Sequence, residues 1–128
     1  MRPNPDDRVV VWIDSQNTAS LFTTTITQAE ILYGVSLLPS GSRKCDLLAV
    51  AQAMFQSDFK NRVLPFDGDA AMMFGTLSAD RSRLGRPISQ FDALVAAITV
   101  SRGASLATHN TRDFEACGVR LIDPWEVG

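Results

Sequence analysis

Helix and strand signals alternate along this chain, and that alternation predicts an α/β fold with a largely parallel sheet. Two observations carry the prediction. Short β-branched runs stand between longer segments with helical apolar spacing, and capping residues or breakers mark the joins between them. With 128 residues the chain is expected to form one domain, 1–128, long enough to bury a core.

In order, Asn4-Pro5-Asp6-Asp7 reads as a helix start, with a cap, a proline in the first turn and acids on the positive dipole end. That helix is expected to run through Val9–Ile13. Leu21–Thr25 is short and β-branched, which predicts a strand. Thr27 opens a helix ending near Leu38, before Pro39-Ser40-Gly41. A second long helix covers Lys44 to Phe59, with Leu47, Leu48, Ala51 and Met54 at helical spacing. Val63–Phe66 reads as a brief strand, and Asp67 caps a helix running to about Leu84. Gly85-Arg86-Pro87 is a breaker. Ser89 caps the next helix, whose apolar stripe is read as Phe91, Leu94, Val95 and Ile98, and Gly103 ends it. Ser105–Thr108 and Val119–Ile122 read as the closing strands, the last stopped by Asp123-Pro124.

Composition narrows the function. A net charge of −2 gives no global attraction to nucleic acid, so such a role would need a local basic patch or bound cations. The cysteines, Cys45 and Cys117, show neither CxxC spacing nor a histidine cluster, so they read as reduced thiols. His109 is the only histidine, which excludes multi-histidine metal sites. No apolar run approaches the ~20 residues of a membrane span, and Met1–Pro5 lacks an apolar signal core. No membrane role is expected, and the cytoplasm is the expected location.

The chemistry-bearing residues lie at element ends. Thr27-Gln-Ala-Glu30 and Ser89-Gln-Phe-Asp92 place carboxylates at two helix starts, and Asn110-Thr-Arg-Asp113 follows a strand. Taken singly, each early acid reads first as half of a capping box. Asn110 and Asp113 are likewise good turn formers. Their joint placement raises another reading, because ligands of parallel α/β folds bind outside the carboxyl ends of the strands. Oxygen ligands of this kind suit Mg²⁺ or Mn²⁺, which can activate water against a phosphodiester without histidine. Arg81, Arg83 and Arg86 form a basic run that either holds RNA phosphates or complements a helix dipole. Trp12, Phe114 and Trp125 read as packing residues, and His109 as an exposed turn residue.

These residues also resemble a known family. Ile26–Gly34, Leu64–Asp67, Gly85–Ile88, Asp92–Ala97 and Thr108–Phe114 are similar, in order and spacing, to PIN-domain ribonucleases, and most of all to VapC-type toxins. The likeness runs across nearly the whole chain, to Asp123-Pro124-Trp125. It implies an α/β/α sandwich around a mainly parallel central sheet and a Mg²⁺- or Mn²⁺-dependent endoribonuclease site. It further implies a homodimer and inhibition by a cognate antitoxin. By position, Glu30 and Asp92 match the second and third family acids. Asn110 occupies the usual place of the fourth, with Asp113 able to supply the carboxylate instead. Thr27 and Thr108 sit where the family often has hydroxyls near the metal.

One departure accompanies the resemblance. Family members begin with a short apolar strand ending in Asp-Thr-Asn, whose aspartate is the first metal ligand, and Met1–Pro5 matches the segment that follows it. Asp6, Asp7 and Asp14 fall in the following helix and cannot substitute. Roughly fifteen residues are expected to lie upstream, with Met1 an internal methionine. Without that strand, unpaired backbone groups and an open core slot are expected at the sheet centre, along with weak metal binding, poor stability, or a strand supplied by a partner. The functional expectation is a metal-dependent endoribonuclease toxin using Glu30, Asp92 and Asp113 or Asn110. The alternative is a PIN-fold module that binds antitoxin without cutting RNA. A signalling receiver of similar topology would need an acidic pair around its first strand and a lysine after a later one, and neither stands at such a place.

Overall fold

The computed structural model of the chain describes residue 16 and residues 18–124. The expected first helix through Val9–Ile13, and Trp12, Asp14 and Trp125 with it, lie outside the described residues. Helices α1 (Thr25–Ser36), α2 (Ser42–Ala53), α3 (Gly68–Arg83) and α4 (Gln90–Ser101) alternate with strands β1 (Thr23–Thr24), β2 (Val63–Leu64), β3 (Ser105–Ala107) and β4 (Arg120–Ile122). The expected α/β alternation is present, with β1 parallel to β2 and β3 parallel to β4.

The sheet itself differs from a single continuous one. Among the described residues the strands form two separate parallel pairs, β1-β2 and β3-β4. A cavity of about 670 Å³ separates them, lined by residues of β1 and β3 and by Val95 and Thr99 of α4.

Capping chemistry sets where the helices begin. Thr24 is the cap of α1: its Oγ1 accepts the Thr27 N–H at 3.0 Å. The helix thus starts two residues before the expected Thr27, because in the Thr23-Thr24-Thr25 run any threonine can cap and the one at the strand end does so. Asp67 caps α3 through the Ala70 N–H at 3.0 Å, and Ser89 caps α4 through the Asp92 N–H at 3.3 Å, both as the sequence predicts. Replacing Thr24 by Val keeps the shape and removes the acceptor; it should cost about 1 kcal/mol, read as a lower thermal midpoint. The long helix expected from Lys44 to Phe59 is α2 followed by a single π-turn, Met54–Asp58. At the end of α4, Gly103 takes φ 63°, a conformation that favours glycine.

The core centres on the packing of α3 against α4. Leu77 of α3 meets Ala93, Ala96 and Ala97 of α4, with Phe114 and Cys117 closing one side. Here the expected apolar stripe of α4 is corrected. Phe91 is 51% exposed, and the buried stripe is made of alanines with Ile98. Small side chains at a contact let two helices approach closely, so alanines line the face toward α3. Cys45 and Cys117 are free thiols, as expected. Arg62 fastens β2 to the chain entering β1: its guanidinium donates to the Leu21 carbonyl at 2.8 Å and to the Asp58 carbonyl, and lies over the Phe59 ring.

Candidate active site

Topology brings the acidic corners to strand ends. Helix α1 leaves the carboxyl end of β1, so Glu30 lies one turn beyond Thr27, which lines the inter-sheet cavity. Helix α4 feeds β3 through a tight turn, so its first turn, which holds Asp92, lies at the far end of that helix from the entry to β3. The segment leaving β3 carries Thr108, Asn110 and a 3₁₀ turn, Thr111–Phe114, containing Asp113. Helices α1 and α4 are in contact.

The capping reading of these acids does not hold for Glu30. It occupies the second turn of α1, beyond reach of the true cap at Thr24, and its carboxylate is exposed. For Asp92 only half of a capping box is present. Its N–H binds Ser89 Oγ, while its half-buried carboxylate makes no hydrogen bond or ion pair among the described residues. Asp113 is exposed and contributes only backbone groups to bonds, its N–H donating to the Asn110 carbonyl at 3.1 Å. Asn110 makes no side-chain cap to the turn it precedes. Thr108 Oγ1 accepts the Asn110 N–H at 3.1 Å, so this hydroxyl fixes the start of the turn. Thr27 Oγ1 lies 3.1 Å from Thr24 Oγ1.

A smaller cavity of about 350 Å³ opens over His109, Asn110, Arg112, Asp113 and Asp123. His109 Nδ1 lies 3.4 Å from an Asp123 oxygen. Sequence reading gave His109 no partner, since fourteen residues separate the two and no local pattern links them.

The arginine run divides. Arg81 is only 4% exposed and points inward. Its Nε donates to the Arg86 carbonyl at 2.6 Å, and its Nη1 to the carbonyls of Asp113 at 3.0 Å and Glu115 at 2.8 Å, with Cys117 Sγ at 3.4 Å. The expectation that Arg81 meets RNA is therefore corrected: it is buried, and its Nη1 holds the 113–117 turn to the end of α3. That turn is strained, with Ala116 at φ 59°. Arg83 and Arg86 are exposed, paired to Asp80 at 3.3 Å and to Glu115 at 3.0 Å. A fixed planar fork suits several carbonyls at once, which is why arginine serves here. Spacing alone could not separate Arg81 from its neighbours.

As to a cation, the donor types fit, being unpaired carboxylate oxygens with an amide oxygen nearby in sequence. Among the described residues no group of three or more His, Cys, Asp or Glu gathers closely enough to form a cage. Mg²⁺ does not demand one, since it commonly takes one or two carboxylates and completes its shell with water and substrate phosphate.

Comparison with known proteins decides the family. The PIN-domain family model matches residues 2–118. The chain belongs to the PIN-domain family. Within it the chain groups with VapC-type proteins. It is 35% identical over 125 residues to VapC ribonuclease Y4jK of Sinorhizobium fredii, covering 98% of this chain and 89% of that protein. It is 37% identical over 126 residues to plasmid stability protein StbB of Pseudomonas syringae pv. tomato, with 98% and 91% covered. The crystal structure of FitAcB from Neisseria gonorrhoeae superposes with a TM-score of 0.86 at 31% identity, covering 98% of this chain and 91% of that one. The layered α/β/α arrangement of this PIN domain is thus the one the sequence predicts. Among its described residues no helix is long and apolar enough to cross a membrane.

Proposed function

We propose that this PIN domain is the metal-dependent endoribonuclease toxin of a toxin–antitoxin pair, acting in the cytoplasm as a homodimer. The observation that carries the reading is the pair of unpaired carboxylates, Glu30 and Asp92, on two helices in contact within a PIN fold. Relatives named as ribonucleases and toxins support the same assignment.

Glu30 and Asp92 would hold Mg²⁺ or Mn²⁺, with Asn110 or Asp113 as the third corner. When bound, such a cation acts as a Lewis acid toward water and the scissile phosphate. Thr108 keeps Asn110 at the mouth of its turn, and the Thr24–Thr27 hydroxyl pair orders the start of α1. Arg83 and Arg86, at the exposed end of α3, are the cations placed to meet RNA phosphates, while Arg81 positions the Asp113 turn from inside. Incubating the chain with a mixed RNA pool should give cutting in Mn²⁺ and none in excess EDTA. Equal cutting in both would refute metal dependence.

A second reading, a module that binds antitoxin, rests on α1. Tyr33 and Leu37 stand one turn apart and are 67% and 66% exposed. Large apolar side chains so exposed mark interaction surfaces more than lone ones do. FitAB and VapBC structures among the neighbours show such relatives in complexes. Tyr33→Asp with Leu37→Asp should weaken antitoxin binding at least tenfold in a titration, about 1.4 kcal/mol or more. On this reading the free chain cuts no RNA, with or without the substitutions.

A further inference from the structure

Two segments that each carry a candidate carboxylate are tied together by one buried guanidinium. The first is the loop of residues 84–89, which leads into Asp92. Arg81 Nε donates to the Arg86 carbonyl at 2.6 Å, and the Arg86 N–H donates to the Arg81 carbonyl at 3.0 Å. Three residues further on, Ser89 caps α4 by accepting the Asp92 N–H. The second segment is the turn that carries Asp113. Arg81 Nη1 donates to the Asp113 carbonyl at 3.0 Å and to the Glu115 carbonyl at 2.8 Å. An outer tie repeats the link at the surface, where Arg86 Nη2 meets Glu115 Oε2 at 3.0 Å.

Packing joins the same two segments. Phe114 follows Asp113 and Ala93 follows Asp92, and both belong to one buried cluster. Helix α4 is in contact with the Thr111–Phe114 turn. Asp92 and Asp113 thus each stand one residue away from a shared core. Apolar burial is non-directional, so it brings the segments together without fixing how the turn is rotated. Hydrogen bonds are directional, and a rigid planar fork aimed at carbonyls of both segments supplies that constraint. The turn does not hold its shape at no cost, since Ala116 within it sits at φ 59°.

We propose that Arg81 is a positioning residue of the cation site, setting the Asp92 carboxylate at its distance from the Asn110–Asp113 turn; the role rests on the cation reading above. Mg²⁺ demands near-octahedral ligands at about 2.1 Å, so a turn that shifts by a fraction of that length presents its oxygen poorly. Partners that orient ligands from behind typically change metal affinity by about 10- to 100-fold when removed. Arg81 never touches the cation in this arrangement. It acts through the Asp113 carbonyl and through the loop that delivers Asp92.

The test is a Mn²⁺ titration of the full chain, followed by the electron paramagnetic resonance of the free ion. Sucrose present throughout keeps destabilised variants folded. Arg81→Met should weaken Mn²⁺ binding about tenfold or more, and so should the paired substitution Asn110→Ala with Asp113→Asn. Combining all three should weaken it no further than the larger single effect, because one ligand cannot be lost twice. Arg81→Lys, read in the same way, serves where the methionine variant does not fold. Phe55→Leu, a buried substitution in neither segment, controls for lost stability and should leave Mn²⁺ affinity unchanged. Without metal, amide hydrogen exchange at Asp113 and Glu115 should quicken about tenfold in Arg81→Met and not in Phe55→Leu. Unchanged Mn²⁺ affinity in the Arg81 variants, fully additive losses, or equal weakening by Phe55→Leu would overturn the proposal. Parent Mn²⁺ binding that survives Glu30→Gln with Asp92→Asn would overturn the cation site itself, and this role with it.

Discussion

Arg81→Met should lower the stability of this PIN domain by about 3 kcal/mol, because a guanidinium serving three carbonyls is removed and only part of that loss is recovered by water. For a domain of this size that corresponds to a fall in thermal midpoint of roughly ten degrees. The long apolar stem of methionine keeps most of the packing, so the effect isolates the hydrogen bonds. Arg81→Lys should recover little, since a point charge cannot reach carbonyls in several directions at once. Arg83→Met and Arg86→Met, which break exposed pairs only, should each stay within about 0.5 kcal/mol. Thermal denaturation of the four variants separates these cases. An Arg81→Met protein as stable as the parent would mean that the 113–117 turn holds itself.

The second large effect concerns chemistry rather than stability. Glu30→Gln and Asp92→Asn should each reduce Mn²⁺-dependent RNA cutting by about a hundredfold or more, since withdrawing one carboxylate from a cation site removes several kcal/mol of charge stabilisation. Neither carboxylate makes a bond that the fold needs, so both variants should melt within a few degrees of the parent. Asp113→Asn and Asn110→Ala, compared in the same assay, show which of the two supplies the third corner. Cutting that survives both Glu30→Gln and Asp92→Asn would place the chemistry elsewhere.

The sequence made much of this legible, for reasons specific to each element. Asp67 and Ser89 stand directly before helical patterns with breakers behind them, and both are caps as predicted. The parallel pairing follows from alternation of elements. The start of α1 was ambiguous because three threonines in a row are equally able to cap, and only the end of β1 selects Thr24. The buried stripe of α4 differs from the one its apolar spacing predicts, for a physical reason. A hydrophobic residue is not buried by its own preference alone, and close helix packing against α3 chose Ala93, Ala96 and Ala97 over Phe91.

The site shows the same division. Glu30 and Asp92 are visible in sequence as acids at helix starts, yet their freedom from capping is known only once Thr24 is seen to cap α1 and the reciprocal Asp92 bond is seen to be missing. Arg81, Arg83 and Arg86 look alike in sequence. Their fates diverge because the helix turns Arg81 toward carbonyls some thirty residues distant. The His109–Asp123 pair and the strand-lined cavity depend on contacts between distant segments, for which no local pattern exists.

The most direct test of the metal site is to titrate Mn²⁺ into the labelled chain and follow paramagnetic broadening of its amide signals. Broadening centred on residues around Glu30 and Asp92, abolished in the Glu30→Gln, Asp92→Asn double variant, is the expected result. Broadening centred instead on His109 and Asp123, or unchanged in the double variant, would contradict the assignment of Glu30 and Asp92 as the cation's holders.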